Sequence, residues 1–473
     1  MRGTELILSP ATWQVRLLRS GEISAGELAE AYLAQIERLN PRLNAITDCD
    51  PESVRAQARV LDRVPEGERG PLHGLPVTIK SSISVAGSLC EVGSLLHAQF
   101  RPQEDAVLVG RLRRAGALLL GTTNCPEFLM NYHSENRIHG RTNNPWDLAR
   151  TPGGSSGGEA AAIAAGLSGA GLGSDSGGSV RVPAHYSGIC ALKPTPGRLP
   201  EQGHLPPCAG PFASLGAIGP MARSVGDVEL LFRTLAGASA VDPAGAPVAL
   251  SQPGEAELRA QRIGLLDDDA AMTPETREAL LAAAEALRAR GYAVQPVRSR
   301  ALDDLLEQAR RLWWILFVRA GAMLFRPATV GREQELSAGF LEFLEIAEAE
   351  PPLTGEELLG AWVEADGVRQ RLLGAMQECP VLLTPVCSVP AFRHGERGWQ
   401  VGSERVEYLE AMRYTQWFNL LGAPATVVPV GRSPEGLPIG VQVAGRPWQD
   451  EVVLGIAGDL ERDFGYRPPP LAT

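Results

Sequence analysis

Two glycine–serine knots, Pro152-Gly153-Gly154-Ser155-Ser156-Gly157-Gly158 and Ser174-Asp175-Ser176-Gly177-Gly178-Ser179, flank an alanine-rich run from Glu159 to Leu167. The run reads as a helix whose small side chains let other backbones approach closely. Glycines directly ahead of a serine remove side chains, so consecutive backbone N–H groups can converge beside the hydroxyl. Such a cluster can hold the negative oxygen of a tetrahedral intermediate, one donor contributing about 2.7–4 kcal/mol to transition-state stabilisation. Phosphate-cradling readings fit less well. Gly171-Leu172-Gly173-Ser174-Asp175-Ser176 ends in serine where a dinucleotide fingerprint needs glycine, and no lysine follows either knot as a phosphate-binding loop requires. A G-x-S-x-G elbow matches at both Ser155 and Ser156, but no strand pattern precedes it, and that signal is weak.

A serine nucleophile needs a base. The seven histidines, His73, His97, His133, His139, His185, His204 and His394, each read as structural or surface residues, and none sits in a setting that marks it as that base. Lysine and arginine total 44, yet only Lys80 and Lys193 are lysines. Arginine serves for surface charge but does not deprotonate at working pH, so a lysine kept against this habit is a candidate neutral amine. Its pKa must fall by roughly 3 units from about 10.4, which burial can supply. Lys80 follows Leu75, Val77 and Ile79 and precedes Ile83 and Val85; Lys193 lies in Ala191-Leu192-Lys193-Pro194. On these grounds the two stand level.

The rest of the chain supplies a large soluble frame. Of 473 residues 44% are hydrophobic and the net charge is −11, which disfavours a dedicated nucleic-acid binder. No signal peptide is evident, and no stretch approaches the roughly 20 apolar residues of a membrane span. Seven scattered cysteines without a C-x-x-C pair indicate neither a disulfide framework nor a zinc site, and fit a cytoplasmic protein. Residues 9–38 read as two helices, the second opened by a Ser24/Glu27 capping box and ended at Asn40-Pro41. Leu75–Lys80 and Ala117–Leu120 read as buried strands, with a helix over Val107–Leu112. Residues 237–260 read as a linker-like excursion. Arg262–Leu266, Pro274–Arg290 and Tyr292–Val297 follow as strand, helix and strand. Residues 301–375 read as helical, with Trp313, Trp314, Phe317, Phe340 and Phe343 as core. Val381–Pro385, Ala425–Val430 and Pro438–Ala444 read as strands.

Gly74-Leu75-Pro76-Val77-Thr78-Ile79-Lys80, GRTNNPWDLARTPGGSSGGEAAAIAAG (140–166) and the stretch from Gly173 through Arg181 to Thr195 closely resemble the amidase signature family. Weaker echoes lie at Asn419–Ala425 and Pro438–Gln442. The resemblance covers most of the chain and implies an α/β fold: a mixed β-sheet core sandwiched between α-helices in one large domain, 1–473. Within it fall a helical segment (1–62), a catalytic core (63–236), the excursion (237–260), a variable substrate-pocket region (261–400) and C-terminal core strands with a helix (401–473). Ser179 matches the family's acylated nucleophile, Ser155 its bridging serine, joined to Gly154 by a cis peptide bond, and Lys80 its general base. Lys193 matches a recurring lysine without a catalytic role. The backbone N–H groups of Ser176, Gly177, Gly178 and Ser179 match the oxyanion hole, and Ser156, Asp175 and Arg181 match supporting residues.

These matches imply an amidohydrolase that cleaves a carboxylic amide to an acid and ammonia or an amine, without metal or organic cofactor, as a monomer or homodimer acting on a small-molecule amide. Leu129, Met130, Tyr132 and Trp417 are the candidate pocket residues. Two other readings stand beside this one: the glutamine-hydrolysing component of a glutamine-dependent tRNA amidotransferase, and a catalytically silent scaffold. Ser81 stands where many members have Asp, and Glu159 where many have Ser. Both departures, with Ala411 and Met412 in place of an acidic residue ahead of Asn419, weigh against the amidotransferase reading. The intact Lys80, Ser155 and Ser179 weigh against the scaffold.

Overall fold

The computed structural model describes residues 3–267 and 270–472. Its centre is a sheet of eleven strands: β1 Ile46–Asp48, β2 Pro76–Lys80, β3 Leu118–Thr123, β4 Ala170–Asp175, β5 Cys190–Lys193, β6 Ala217–Ala222, β7 Arg262–Leu265, β8 Ala293–Pro296, β9 Val381–Pro385, β10 Ala425–Arg432 and β11 Pro438–Gly445. They lie in the order β1-β3-β2-β4-β6-β5-β10-β11-β9-β7-β8. The sheet is mixed: β3, β2 and β4 run parallel, β6, β5, β10, β11 and β9 alternate antiparallel, and β9, β7 and β8 are parallel again. Alternation along the strands fills both faces. Val381 and Leu383 point to the layer built with helices Val225–Leu235, Pro274–Ala289 and Asp450–Glu461, while Leu382 points to the opposite layer with helix Arg413–Leu421. The fold is the expected single α/β domain.

Most of the expected elements are present, with shifted ends. The second N-terminal helix, Ala25–Leu43, keeps its Ser24/Glu27 capping box but runs past Pro41, which sits inside its last turn. It stops at Asn44, whose N–H still bonds the Asn40 carbonyl and whose left-handed backbone (φ 52) then turns the chain away. Between the helix ending at Leu235 and the one beginning at Glu255 no regular element occurs. This stretch is tied down all the same: Arg111 donates to the carbonyls of Leu235, Gly237 and Ala238. Residues 300–375 form the helices Arg300–Trp313, Ala320–Thr329, Ala338–Ala347 and Gly355–Ala375, the first two joined by a π-helical turn over Trp314–Arg319.

Strand β4 positions the site. It lies beside β2 in parallel register, so Lys80 and Asp175, the last residues of the two strands, emerge at the same edge of the sheet. Carboxyl ends of parallel strands are where α/β sheets bind ligands. Glycine makes the close approach possible: a Cβ on Gly171 would lie 2.6 Å from the Thr78 carbonyl and collide with the Glu159 carboxyl. Gly171→Ala is therefore expected to cost about 1–3 kcal/mol by overpacking, read as a lower denaturant midpoint. Wild-type stability in that variant would contradict this packing.

Candidate active site

Lys80, at the end of β2, is fully buried among Leu75, Val77 and Ile79 and their neighbours. Its Nζ donates to Ser155 Oγ at 2.6 Å and to Ser174 Oγ at 3.1 Å. Burial, which denies the ammonium its hydration, draws the Lys80 pKa from 10.5 down to about 8. Lys193 is also buried and is drawn down to about 7, but its amine donates to the Pro194 carbonyl at 2.9 Å. Titration alone does not separate the two lysines; their partners do. Only Lys80 faces hydroxyls. Ser155 follows Gly154 through a cis peptide bond. From residue 151 to residue 195 every residue is buried except Ser176 and Ser179. Ser176 and Ser179 are thus the two half-buried serines in a stretch otherwise closed to solvent.

Ser156 joins the two knots. Its N–H donates to the Ser179 carbonyl at 3.1 Å, and its Oγ accepts from the Ser174 N–H at 3.3 Å. Asp175 organises the second knot. Its carboxylate accepts from the N–H groups of Gly178 (2.7 Å) and Val180 (3.2 Å), from both Arg181 Nε and Nη2 (2.9 and 3.0 Å), and from Asn419 Nδ2 at 3.0 Å. Burial alone would raise this carboxyl, but the Arg181 guanidinium holds it well below the usual range. Arg181 also donates to Asn419 Oδ1 and Gln442 Oε1, so the two weaker echo segments close the network. The Gly178 N–H, one of the four matched to the oxyanion hole, is thus engaged by Asp175. The N–H groups of Ser176, Gly177 and Ser179 make no hydrogen bond to another described residue.

Ser155, Ser174, Ser176, Gly177 and Ser179 open onto a cavity of about 330 Å³. Leu129, Met130 and Tyr132 line it, and with them Trp313, Trp314, Phe317, Phe325 and Phe343 from the helical block. No Arg or Lys is among the described lining residues. Glu342, which also lines the cavity, pairs with Arg397 at 2.9 Å. A wall of this kind suits an uncharged, apolar group.

The Amidase family model matches residues 27–454. The chain belongs to the amidase family. It is 33% identical over 458 residues to an indoleacetamide hydrolase of Bradyrhizobium diazoefficiens, covering 95% of this chain and 85% of that protein. It is 35% identical over 482 residues to the A component of the glutamyl-tRNA(Gln) amidotransferase of Roseiflexus sp. (strain RS-1), covering 96% of each. The solved structure of 6-aminohexanoate cyclic dimer hydrolase complexed with substrate superposes with a TM-score of 0.84 at 29% identity, covering 99% of this chain and 100% of that one. This amidase is accordingly a hydrolase of carbon–nitrogen amide bonds.

Some site residues of the amidase carry no legible signal in the sequence, and Trp417 and several aromatic residues of the helical block lie elsewhere than expected. Trp417 is not among the cavity residues: it is buried in the core of helix Arg413–Leu421, its ring stacked on Phe418. Trp313, Trp314, Phe317 and Phe343, expected as core, line the cavity, whereas Phe340 is core. Ser174, the second hydroxyl on Lys80, has no signal beyond its place next to Asp175. Among the histidines only His204 lines the cavity. Its Nδ1 lies 2.8 Å from the Pro206 carbonyl and its Nε2 3.3 Å from Ser82 Oγ, so both ring nitrogens are occupied. Burial lowers its pKa to about 4, keeping it neutral. Among the described residues no helix is long and apolar enough to cross a membrane, and no group of His, Cys, Asp and Glu could hold a metal ion.

Proposed function

We propose that this amidase hydrolyses an uncharged, apolar carboxylic amide, of the arylacetamide kind, through an ester on Ser179. The observation that carries the reading is a desolvated amine, Lys80, with only hydroxyl partners, Ser155 at 2.6 Å and Ser174 at 3.1 Å. When neutral, that amine takes the Ser155 proton as Ser155 takes the proton of Ser179. Ser179 Oγ then attacks the amide carbon, and the carbonyl oxygen gains its negative charge beside the N–H groups of Ser176, Gly177 and Ser179. The C–N bond breaks as the proton returns from Lys80 through Ser155 to the leaving nitrogen. Water repeats the sequence on the ester, releasing the acid.

The substrate class rests on the cavity wall and on the relative named for indoleacetamide. A glutamine substrate, as in the amidotransferase reading, would bring an α-carboxylate into a cavity whose described lining holds no Arg or Lys. A buried charge without a partner is costly to bind. The test is a panel of indole-3-acetamide, phenylacetamide, hexanamide and glutamine. The expected kcat/KM for the aryl amides exceeds that for glutamine by roughly 100-fold or more. A preference for glutamine would reject the apolar reading in favour of the amidotransferase one.

A further inference from the structure

The loop from Ser176 to Ser179 is held by its carbonyls. In a trans peptide plane the C=O and the following N–H point in opposite directions, so fixing one aims the other. The Gly178 carbonyl accepts from the Val182 N–H at 2.7 Å, which directs the Ser179 N–H the other way. The Gly177 carbonyl accepts from Tyr132 Oη and Thr415 Oγ1, both at 2.7 Å, and the Gly178 N–H is turned to Asp175. The Ser176 carbonyl accepts from the indole Nε1 of Trp313 at 2.7 Å. That bond aims the N–H of Gly177, one of the three that bond no other described residue.

Trp313 is well placed for this. It ends the helix Arg300–Trp313, directly before the π-helical turn, a feature that recurs at functional sites. Trp313 is 5% exposed, and the Phe317 ring, which lines the cavity, stacks on its indole at 5.4 Å. On the loop side a Cβ at Gly177 would come within 2.5 Å of Trp313 Cζ2, so only glycine admits the ring. Among the described residues this is the one hydrogen bond from the 300–375 helices to the 174–181 loop.

We infer that Trp313 is a positioning residue, whose indole N–H locks the Ser176–Gly177 peptide so that the Gly177 N–H faces the reacting carbonyl oxygen. The inference rests on the reading of Ser179 as nucleophile. A helical block that walls the substrate cavity thereby also sets the geometry of charge stabilisation. Loss of a single donor or its alignment is felt in the transition state and not in the bound amide.

The test is Trp313→Phe, which keeps an aromatic ring and removes the N–H. For an apolar amide, kcat is expected to fall about 10- to 100-fold with KM within about twofold. The Ki of phenylboronic acid, which forms a tetrahedral adduct on the serine, should rise by the same factor. Binding of the intact amide, measured in a Ser179→Ala background, should not change. Should the phenylalanine lower the melting midpoint, benzothienylalanine at position 313 keeps the indole's shape without its N–H and must give the same readouts. An unchanged kcat, or a loss carried wholly by KM with amide and boronic acid weakened alike, overturns the inference and leaves Trp313 as cavity wall only. Failure of the underlying reading is distinguishable, because there Ser179→Ala itself would retain turnover.

Discussion

Replacing Ser179 by alanine is expected to lower turnover of an apolar amide by about 10⁶-fold, with the circular dichroism spectrum and melting midpoint unchanged. The reason for the second half is as specific as that for the first. Ser179 keeps solvent exposure inside a buried stretch, and no described residue bonds to its hydroxyl. Its backbone does the structural work, through the N–H of Ser156 on its carbonyl. In the proposed mechanism, removing the oxygen therefore removes the group that forms the ester and leaves the loop in place. A fluorophosphonate probe should label the wild-type protein at Ser179, located by peptide mass mapping, and should not label the variant. Substantial turnover in Ser179→Ala, or a label on another serine, would end the assignment.

The second large effect belongs to Lys80. Lys80→Ala is expected to reduce kcat by about 10³-fold or more, in the range of a lost general base. Lys80→Arg should fare no better, because a guanidinium stays protonated. The wild-type pH profile follows from the sign of the shift. Burial draws Lys80 down to about 8, and in the proposed mechanism the neutral amine is the active form. Below that value the neutral fraction, and with it kcat/KM, falls tenfold per pH unit; above it the rate levels off. The rising limb should vanish in Lys80→Ala. A wild-type profile flat from about pH 6 to 9 would show that no base of this kind limits the reaction.

What could be read in the sequence divides along physical lines. Strands built from β-branched and aliphatic runs, Pro76–Lys80 and Ala425–Arg432, announce themselves, as does a capped amphipathic helix such as Ala25–Leu43. Strand β4, Ala-Gly-Leu-Gly-Ser-Asp, is hidden because the tight contacts around it are met with glycine, the residue that strand propensity disfavours. Two lysines in an arginine-rich chain are conspicuous and the knots place serines beside glycines, but it is the resemblance to the amidase signature family that singles out Lys80, Ser155 and Ser179 among them. The orientation of individual peptide groups is not legible. The engaged Gly178 N–H depends on where the Asp175 carboxylate turns, and the Trp313 bond joins an indole to a backbone carbonyl 137 positions earlier. Trp417 illustrates the same limit: nearness to a motif does not reveal which side of a helix meets the cavity.

The Arg181 guanidinium, shared by Asp175, Asn419 and Gln442, has a consequence for biogenesis. A nascent chain carries Lys80, both serines and the glycine knots out of the ribosome long before its C-terminal strands are made. Until Asn419 and Gln442 arrive, Arg181 and Asp175 lack their remaining partners, and only the local bonds from Gly178, Val180 and Arg181 to Asp175 are available to the second knot. The buried network behind the second knot is therefore complete only when helix Arg413–Leu421 and strand β11 have both been made.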